Sequence, residues 1–292
     1  MDRGRPLTVA VLGAGLIGVD LVTKIRRSPL LECRLVVARD DQARGLRMAA
    51  ALGCRTSSKG IDALLDSSEP YDIVFDATNA MSHAEHWALL QPTGTRMIDL
   101  TPSMIGTMVA PTVNGAEAGR HANVNLISCG GQAALPVLHR LAREISAEYI
   151  EVVTTAASRS VGRATRMNLD EYIETTRAAV TRFTGVADSK VMVNLSPAQP
   201  PSPFRVAISL LAPAADPERV SVLVEEAAVA MRRFVPGYRI KVCSVADGVV
   251  FVAVEVEATG DRIPHYAGNL DIINAAAVHV AERHPAPLGG RT

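Results

Sequence analysis

A short apolar run, Leu7–Leu12, passes directly into Gly13-Ala14-Gly15-Leu16-Ile17-Gly18, after which Ile17, Leu21, Val22 and Ile25 recur at helical spacing up to Arg26-Arg27. A strand, a glycine turn and a helix in that order are what a dinucleotide-binding βαβ unit requires. Gly13 permits the turn, Gly15 the close approach of a pyrophosphate, and Gly18 the packing of helix on strand, while the helix N-terminus presents free N–H groups to the phosphates. The glycine spacing alone is a weak signal, since an ordinary tight turn can share it. Its place at the first strand–helix junction of an α/β pattern makes Gly13, Ala14, Gly15, Leu16, Ile17 and Gly18 the expected cofactor cradle.

The alternation continues. A second strand over residues 34–38 ends at Arg39-Asp40, where an acidic side chain can hold the adenosine ribose hydroxyls. Asp40 and NAD are the expected pair. Arg39 keeps NADP open, and Asp40 has the alternative role of capping a helix that begins near Asp41. Helices follow over residues 42–52 and 61–65, then strands over 72–76 and 96–100. Ala77-Thr78-Asn79-Ala80 lies at a strand's carboxyl end, where ligands of open α/β sheets collect. Thr78 is therefore a candidate cofactor contact, with a plain polar loop as the other reading.

Charge and cysteine usage narrow the function. Lys+Arg and Asp+Glu are both 30, and no stretch forms a basic stripe, so nothing attracts nucleic acid. No apolar run reaches the ~18 residues of a membrane helix, because Gly130, Gly131 and Gln132 interrupt the longest. A predicted strand follows the first six residues instead of a cleavage site, which points to a cytoplasmic protein. Cys33, Cys54, Cys129 and Cys243 show neither CxxC spacing nor clustering with histidine, so free thiols are expected and no metal.

Cys129 stands apart from the other three. A short, mostly apolar run over residues 124–127 leads into Ser128-Cys129-Gly130-Gly131-Gln132, and Ala134, Leu135, Leu138, Leu141 and Ile145 lead out at helical spacing. A cysteine at a helix entrance faces unsatisfied N–H groups and the positive end of the helix dipole, both of which favour thiolate. Cys129 is thus the candidate nucleophile; its plain reading is a small buried side chain.

Past that helix the pattern changes to longer strands, over 152–155, 190–195, 205–211, 239–245 and 249–256, with helices over 170–183 and 217–234. This predicts an α/β fold: a Rossmann-type parallel sheet over residues 1–128, then an α+β domain over 129–268 that serves catalysis and oligomerisation. A terminal helix, 269–284, is expected to pack back on the first domain. The basic stretch Ser158-Arg159-Ser160-Val161-Gly162-Arg163-Ala164-Thr165-Arg166-Met167-Asn168 reads either as a solvated loop or as a phosphate-binding loop using Arg159, Arg163 and Arg166. Asn269 opens the last helix, as a cap or as a partner for a nicotinamide carboxamide.

The order of these parts resembles the glyceraldehyde-phosphate and semialdehyde dehydrogenase architecture. More closely, the chain resembles the acylating acetaldehyde dehydrogenases of aromatic meta-cleavage pathways. The matching stretches include Phe75-Asp76-Ala77-Thr78, Ile98-Asp99-Leu100-Thr101-Pro102, Cys129-Gly130-Gly131-Gln132-Ala133, Glu174-Thr175-Thr176 and Tyr266-Ala267-Gly268-Asn269-Leu270-Asp271-Ile272. The resemblance implies an enzyme that oxidises a short aldehyde to an acyl-CoA with NAD and coenzyme A, Cys129 carrying the acyl thioester. It implies a homodimer and a 4-hydroxy-2-oxovalerate aldolase-like partner. It places NAD on residues 13–18 and 158–168, with Asn269 near the nicotinamide.

Three positions depart from the family pattern. Its Arg-Asp pair, whose aspartate is the expected base, reads Arg205-Val206; its fingerprint asparagine is Leu16; and the segment between Arg239 and Val250 is shorter. Valine cannot move a proton. His265, four residues before Asn269, is the candidate replacement, with a surface or core histidine as its plain reading. The loss at Val206 also opens a second functional reading, a non-catalytic NAD-binding homologue or scaffold.

Overall fold

The computed structural model describes residues 5–260 and 262–284. The chain divides into two compact units, Met1–Leu126 with Asn274–Thr292, and Ile127–Ile273.

The first unit is built on seven parallel strands: β1 (Leu7–Leu12), β2 (Leu31–Val37), β3 (Arg55–Ser57), β4 (Ile73–Asp76), β5 (Arg96–Asp99), β6 (Thr107–Met108) and β7 (Asn123–Asn125). Their spatial order is β3-β2-β1-β4-β5-β7-β6. The connections carry α1 (Leu16–Ile25), α2 (Arg44–Ala51), α3 (Asp62–Leu65), α4 (Ala80–Leu90) and α5 (Pro111–Asn114). All six residues of β1 and all four of β4 are buried, as expected of parallel strands covered on both faces. Strand order reverses between β1 and β4, so the turns after these two strands lie side by side at the carboxyl edge.

That proximity explains Gly13, and the turn's own backbone explains Gly18. Gly13 has φ +99°, and a Cβ there would lie 2.6 Å from the Ala77 carbonyl oxygen. A Cβ on Gly18 would drive into the Gly13 carbonyl. Gly15 is different, with no atom within 4 Å of where its Cβ would stand.

The second unit holds a five-stranded sheet: β8 (Tyr149–Ala157), β9 (Ser189–Ser196), β10 (Phe204–Leu211), β11 (Tyr238–Ala246) and β12 (Val249–Val256), in the order β11-β12-β10-β8-β9. Only β8–β9 is parallel. Helices α6 (Cys129–Ala142), α8 (Leu169–Thr184) and α9 (Pro217–Arg232) pack together, with α6 reaching β8, β10 and β12. Val152, Ile208 and Val252 stand opposite one another in register and are fully buried, as are Ile150, Leu210 and Val250. The alternate residues of β10, including Arg205 and Leu211, are exposed or half-buried, leaving the sheet's other face open. A five-residue helix, α7 (Arg163–Met167), precedes α8, and α10 (Gly268–Ala281) closes the described chain.

The fold class is as expected, with local corrections. The expected strand 34–38 runs Leu31–Val37, and β3 and β6 are edge pieces too short to leave a periodic signal. The stretch 158–168 is not a plain loop, since α7 occupies half of it. The short 239–250 segment is a hairpin: Asp247 (φ +51°) and Gly248 (φ +75°) form its two-residue turn, which suits the twist of β11 and β12. Among the described residues no helix is long and apolar enough to cross a membrane.

Gly18→Ala should lower stability by about 2 kcal/mol or more, because backbone rather than a flexible side chain blocks the added methyl. A urea unfolding midpoint equal to wild type would contradict this close contact.

Candidate active site

The corner that carries Cys129 is built from local hydrogen bonds and one strained residue. Ile127, fully buried, has φ +65°, a left-handed conformation rare for a β-branched side chain, and it turns the chain sharply after β7. Ser128 then caps α6, its Oγ accepting from the Gly131 N–H at 2.9 Å. Thr176 Oγ1 donates to the Tyr172 carbonyl (2.7 Å), so its contact with Ser128 Oγ (2.7 Å) takes the serine's proton.

Cys129 is the first residue of α6 and remains half-buried. Its Sγ lies 3.3 Å from the Tyr172 hydroxyl, which also accepts the Gly130 N–H at 2.7 Å. Burial pushes the thiol up to about 11, against the opposing effects of Tyr172 and the Gly130 amide. The thiolate expected from the helix entrance is thus opposed by desolvation. A Cβ at Gly130 would collide with the Thr154 and Tyr172 hydroxyls and force them to shift. Val206 pairs in register with Thr154 on one side and Val254 on the other, so it is part of the apolar wall on the face that bears Thr154.

The other candidates of this unit have their own partners. His265 is exposed and its Nδ1 lies 3.2 Å from the Ala258 carbonyl; it is not a hydrogen-bond partner of Cys129. Asn269 is buried and donates Nδ2–H to the Ser160 carbonyl at 3.0 Å, while its Oδ1 has no protein partner. Arg166 folds its own stretch, donating to the Ser158 carbonyl and hydroxyl and to the Val161 carbonyl. Arg159 and Arg163 are exposed, and residues 163–167 form the short helix α7.

In the first unit, the turn Gly13–Gly18 is followed by α1 with Gly15 as N-cap. Leu16, about half exposed, occupies the first helical position. Asn274 on α10 donates to the Ile17 carbonyl (3.1 Å) and to Asp20 (2.7 Å). Asp40 is exposed and accepts the Gln42 N–H at 2.9 Å; α2 begins only at Arg44, so this is a turn and not a helix cap.

A buried cluster beneath the neighbouring turns escaped the sequence reading. Asp76 and Asp99 end β4 and β5 as register partners. Asp76 Oδ1 accepts from the Thr78 N–H (3.0 Å) and hydroxyl (2.5 Å), and its Oδ2 from His83 Nδ1 (3.0 Å) and His86 Nδ1 (2.7 Å). Asp99 accepts from the Thr101 N–H, the Ser103 hydroxyl and the Asn125 amide. His83, wholly buried, also lies 3.5 Å from Asp99. The histidines were missed because they sit on the inner face of α4, where they break apolar periodicity. The signal was the i, i+3 pair His83 and His86 after a buried Asp. Among the described residues no group of His, Cys, Asp and Glu is placed to hold a metal ion.

Burial would raise the Asp76 carboxyl, but the hydrogen bonds and charges of His83 and His86 outweigh it and hold it at about 2. Burial first, then the charge of Asp76, pushes Asp99 up to about 6. Burial would lower His83, yet its bond to Asp76 and the charges of both aspartates raise it above 6.5. Asp76 therefore stabilises the fold above its unfolded value near pH 4, and this contribution is lost as pH falls toward 2. His83 contributes fully below about pH 6.5 and loses its contribution as pH rises through its higher folded value. Asp76→Asn should cost about 2 kcal/mol at pH 7 and remove its share of the acid slope. Urea midpoints measured from pH 2 to 5 in both proteins check this, and parallel curves would refute it.

A family model described as prokaryotic acetaldehyde dehydrogenase, dimerisation, matches residues 129–264. An acetaldehyde dehydrogenase of Streptomyces griseus is 56% identical over 99% of this chain and 93% of its own. Another, from Burkholderia thailandensis, is 41% identical over 100% and 99%. Aspartate semialdehyde dehydrogenases share the fold: that of Candida albicans, solved with NADP, has a TM-score of 0.66 at 14% identity, and one from Vibrio cholerae 0.63 at 16%, each covering 95% of this chain and 98% of its own. With a cysteine corner, a glycine turn and full-length similarity of this order, the chain belongs to the acetaldehyde dehydrogenase family.

Proposed function

We propose that this protein oxidises a short aldehyde to an acyl-CoA with NAD through a thioester on Cys129. The observation that supports this reading is the Ser128–Gly131 corner, where a half-accessible cysteine begins a capped helix with a hydroxyl on its sulfur.

Two features fit a nicotinamide cofactor. Gly15 has no packing reason to lack a side chain, as expected where a pyrophosphate approaches the backbone. Asn269 Oδ1 is a buried acceptor held in place through Nδ2, suited to a carboxamide N–H. In this reading residues 13–18 hold the pyrophosphate, Asp40 the ribose and Thr78 the cofactor's edge; Arg39 leaves NADP as a competing choice. Residues 158–168, through Arg159 and Arg163, and Asn269 hold the nicotinamide end. Bound, the nicotinamide supplies the hydride acceptor.

Cys129 Sγ attacks the carbonyl carbon and keeps the substrate covalently bound while it is oxidised. The thiol of coenzyme A then takes the acyl group and Cys129 departs as thiolate. Val206 lines an apolar wall and moves no proton. His265 is the proposed base: an Nδ1–H donated to Ala258 leaves the Nε2 lone pair free. The open face of the second sheet is assigned to a homodimer, consistent with the dimerisation model that matches this unit. An aldolase-like partner that supplies the aldehyde completes the proposal.

NADH formation with NAD and coenzyme A across short aliphatic and aromatic aldehydes tests it. Turnover should require coenzyme A and fall at least about 10³-fold in Cys129→Ser; persistence of either activity would overturn the reading. His265→Ala should lower kcat about 10²-fold, and near-full turnover would remove it as the base. Gly15→Ala should leave the melting temperature unchanged yet weaken NAD about tenfold by calorimetry. Equal affinity would place the pyrophosphate elsewhere.

A further inference from the structure

We propose that Tyr172 is a catalytic residue whose phenol O–H donates to Cys129 Sγ, stabilising the thiolate both as it attacks and as it leaves. This rests on the acyl-transfer reading above and assigns the group that governs its nucleophile.

The hydrogen bonds favour donation from the phenol. The phenol oxygen already accepts from the Gly130 N–H at 2.7 Å, so its own proton is turned to another acceptor, and the sulfur stands 3.3 Å away. The ring is held at both ends of the residue. The Tyr172 carbonyl accepts from Thr176, whose hydroxyl meets Ser128, the cap of the helix that Cys129 begins. One residue of α8 thus sets both the cap and the sulfur.

Thr154 is a second hydroxyl beside the phenol, and acting on it as a donor it leaves the phenol proton to the sulfur. The groups acting on the sulfur are burial, Tyr172 and the backbone amides of Cys129 and Gly130; among the described residues no charged side chain contributes. Across the sheet from Thr154 stands Val206, which supplies neither charge nor proton. Burial, and then the neighbouring sulfur, pushes the Tyr172 phenol well above its ordinary range, so it stays protonated at neutral pH and acts as a donor, not as a base. The S–H proton leaves to the base or to solvent, while the phenol keeps its own. When coenzyme A takes the acyl group, its thiol proton leaves to the base or to solvent, its sulfur–carbon bond forms, the Cys129 sulfur–carbon bond breaks, and the departing thiolate returns to the same O–H. Neither step changes an oxidation state.

Iodoacetamide alkylation of Cys129, followed by peptide mass against pH, tests this without aldehyde, NAD or coenzyme A. In Tyr172→Phe the alkylation midpoint should rise by about one pH unit, with a rate about tenfold lower at pH 7. Site-specific replacement of Tyr172 by difluorotyrosine, a stronger donor of the same shape, should move the midpoint down. A purely structural role would change melting temperature and leave both midpoints in place. Unchanged midpoints in the difluorotyrosine protein, or in folded Tyr172→Phe, would overturn the proposal. Loss of coenzyme A dependence or survival of Cys129→Ser turnover would instead overturn the acylating reading, so the two failures are separable.

Discussion

A helix that begins in a buried corner brings backbone N–H groups with no carbonyl to meet them, and most of the second unit's design follows from satisfying two of these at α6. Gly131 is met by Ser128 and Gly130 by Tyr172, a residue 42 positions along the chain. To put the amides there, Ile127 adopts a backbone conformation that costs a β-branched residue ~1–2 kcal/mol, and its complete burial holds it in place. Thr176, α8 and the Thr154 face of β8 are arranged around the same requirement. Reactivity at Cys129 is therefore a by-product of capping: the hydroxyl that satisfies an amide is the one left beside the sulfur.

The two units present opposite solutions to placing function on a sheet. In the first, parallel strands buried on both faces leave chemistry to their carboxyl ends, where the β1 and β4 turns crowd together and demand glycine. In the second, helices cover one face of a mostly antiparallel sheet, and Val206 and Thr154 are buried register partners on that face. A polar side chain at Val206 would need a partner there, whereas valine needs none.

What the amino-acid order made legible was local. The glycine turn after β1 and the strand–turn–helix around Cys129 lie within a few residues, and their spacing carries their geometry. Tyr172 was not legible, because its importance arises from two contacts across more than 40 residues, and in sequence it is one aromatic among helix-forming neighbours. Helix α4 was hidden for a related reason: His83 and His86 occupy core positions, so the apolar period breaks where polar groups pair inside. The Asp40 turn and the Arg166 bonds show the reverse case, in which residues read for a ligand first serve the chain's own backbone. The family resemblance identified Val206 as a departure, but its register with Thr154 belongs to the fold.

The adjacent carboxylates that end β4 and β5 also bear on how this sequence can diverge. Asp76 and Asp99 are register partners on neighbouring strands, and His83 is the buried imidazole within reach of both. A lineage that replaced His83 first would pass through an intermediate with two neighbouring buried carboxyls and one hydrogen-bonding partner fewer, whereas one that first replaced Asp99 by a neutral residue would not. The order of substitution in this cluster is thereby constrained, and its members should be exchanged as a set, giving the inner face of α4 a slower evolutionary clock than its solvent face.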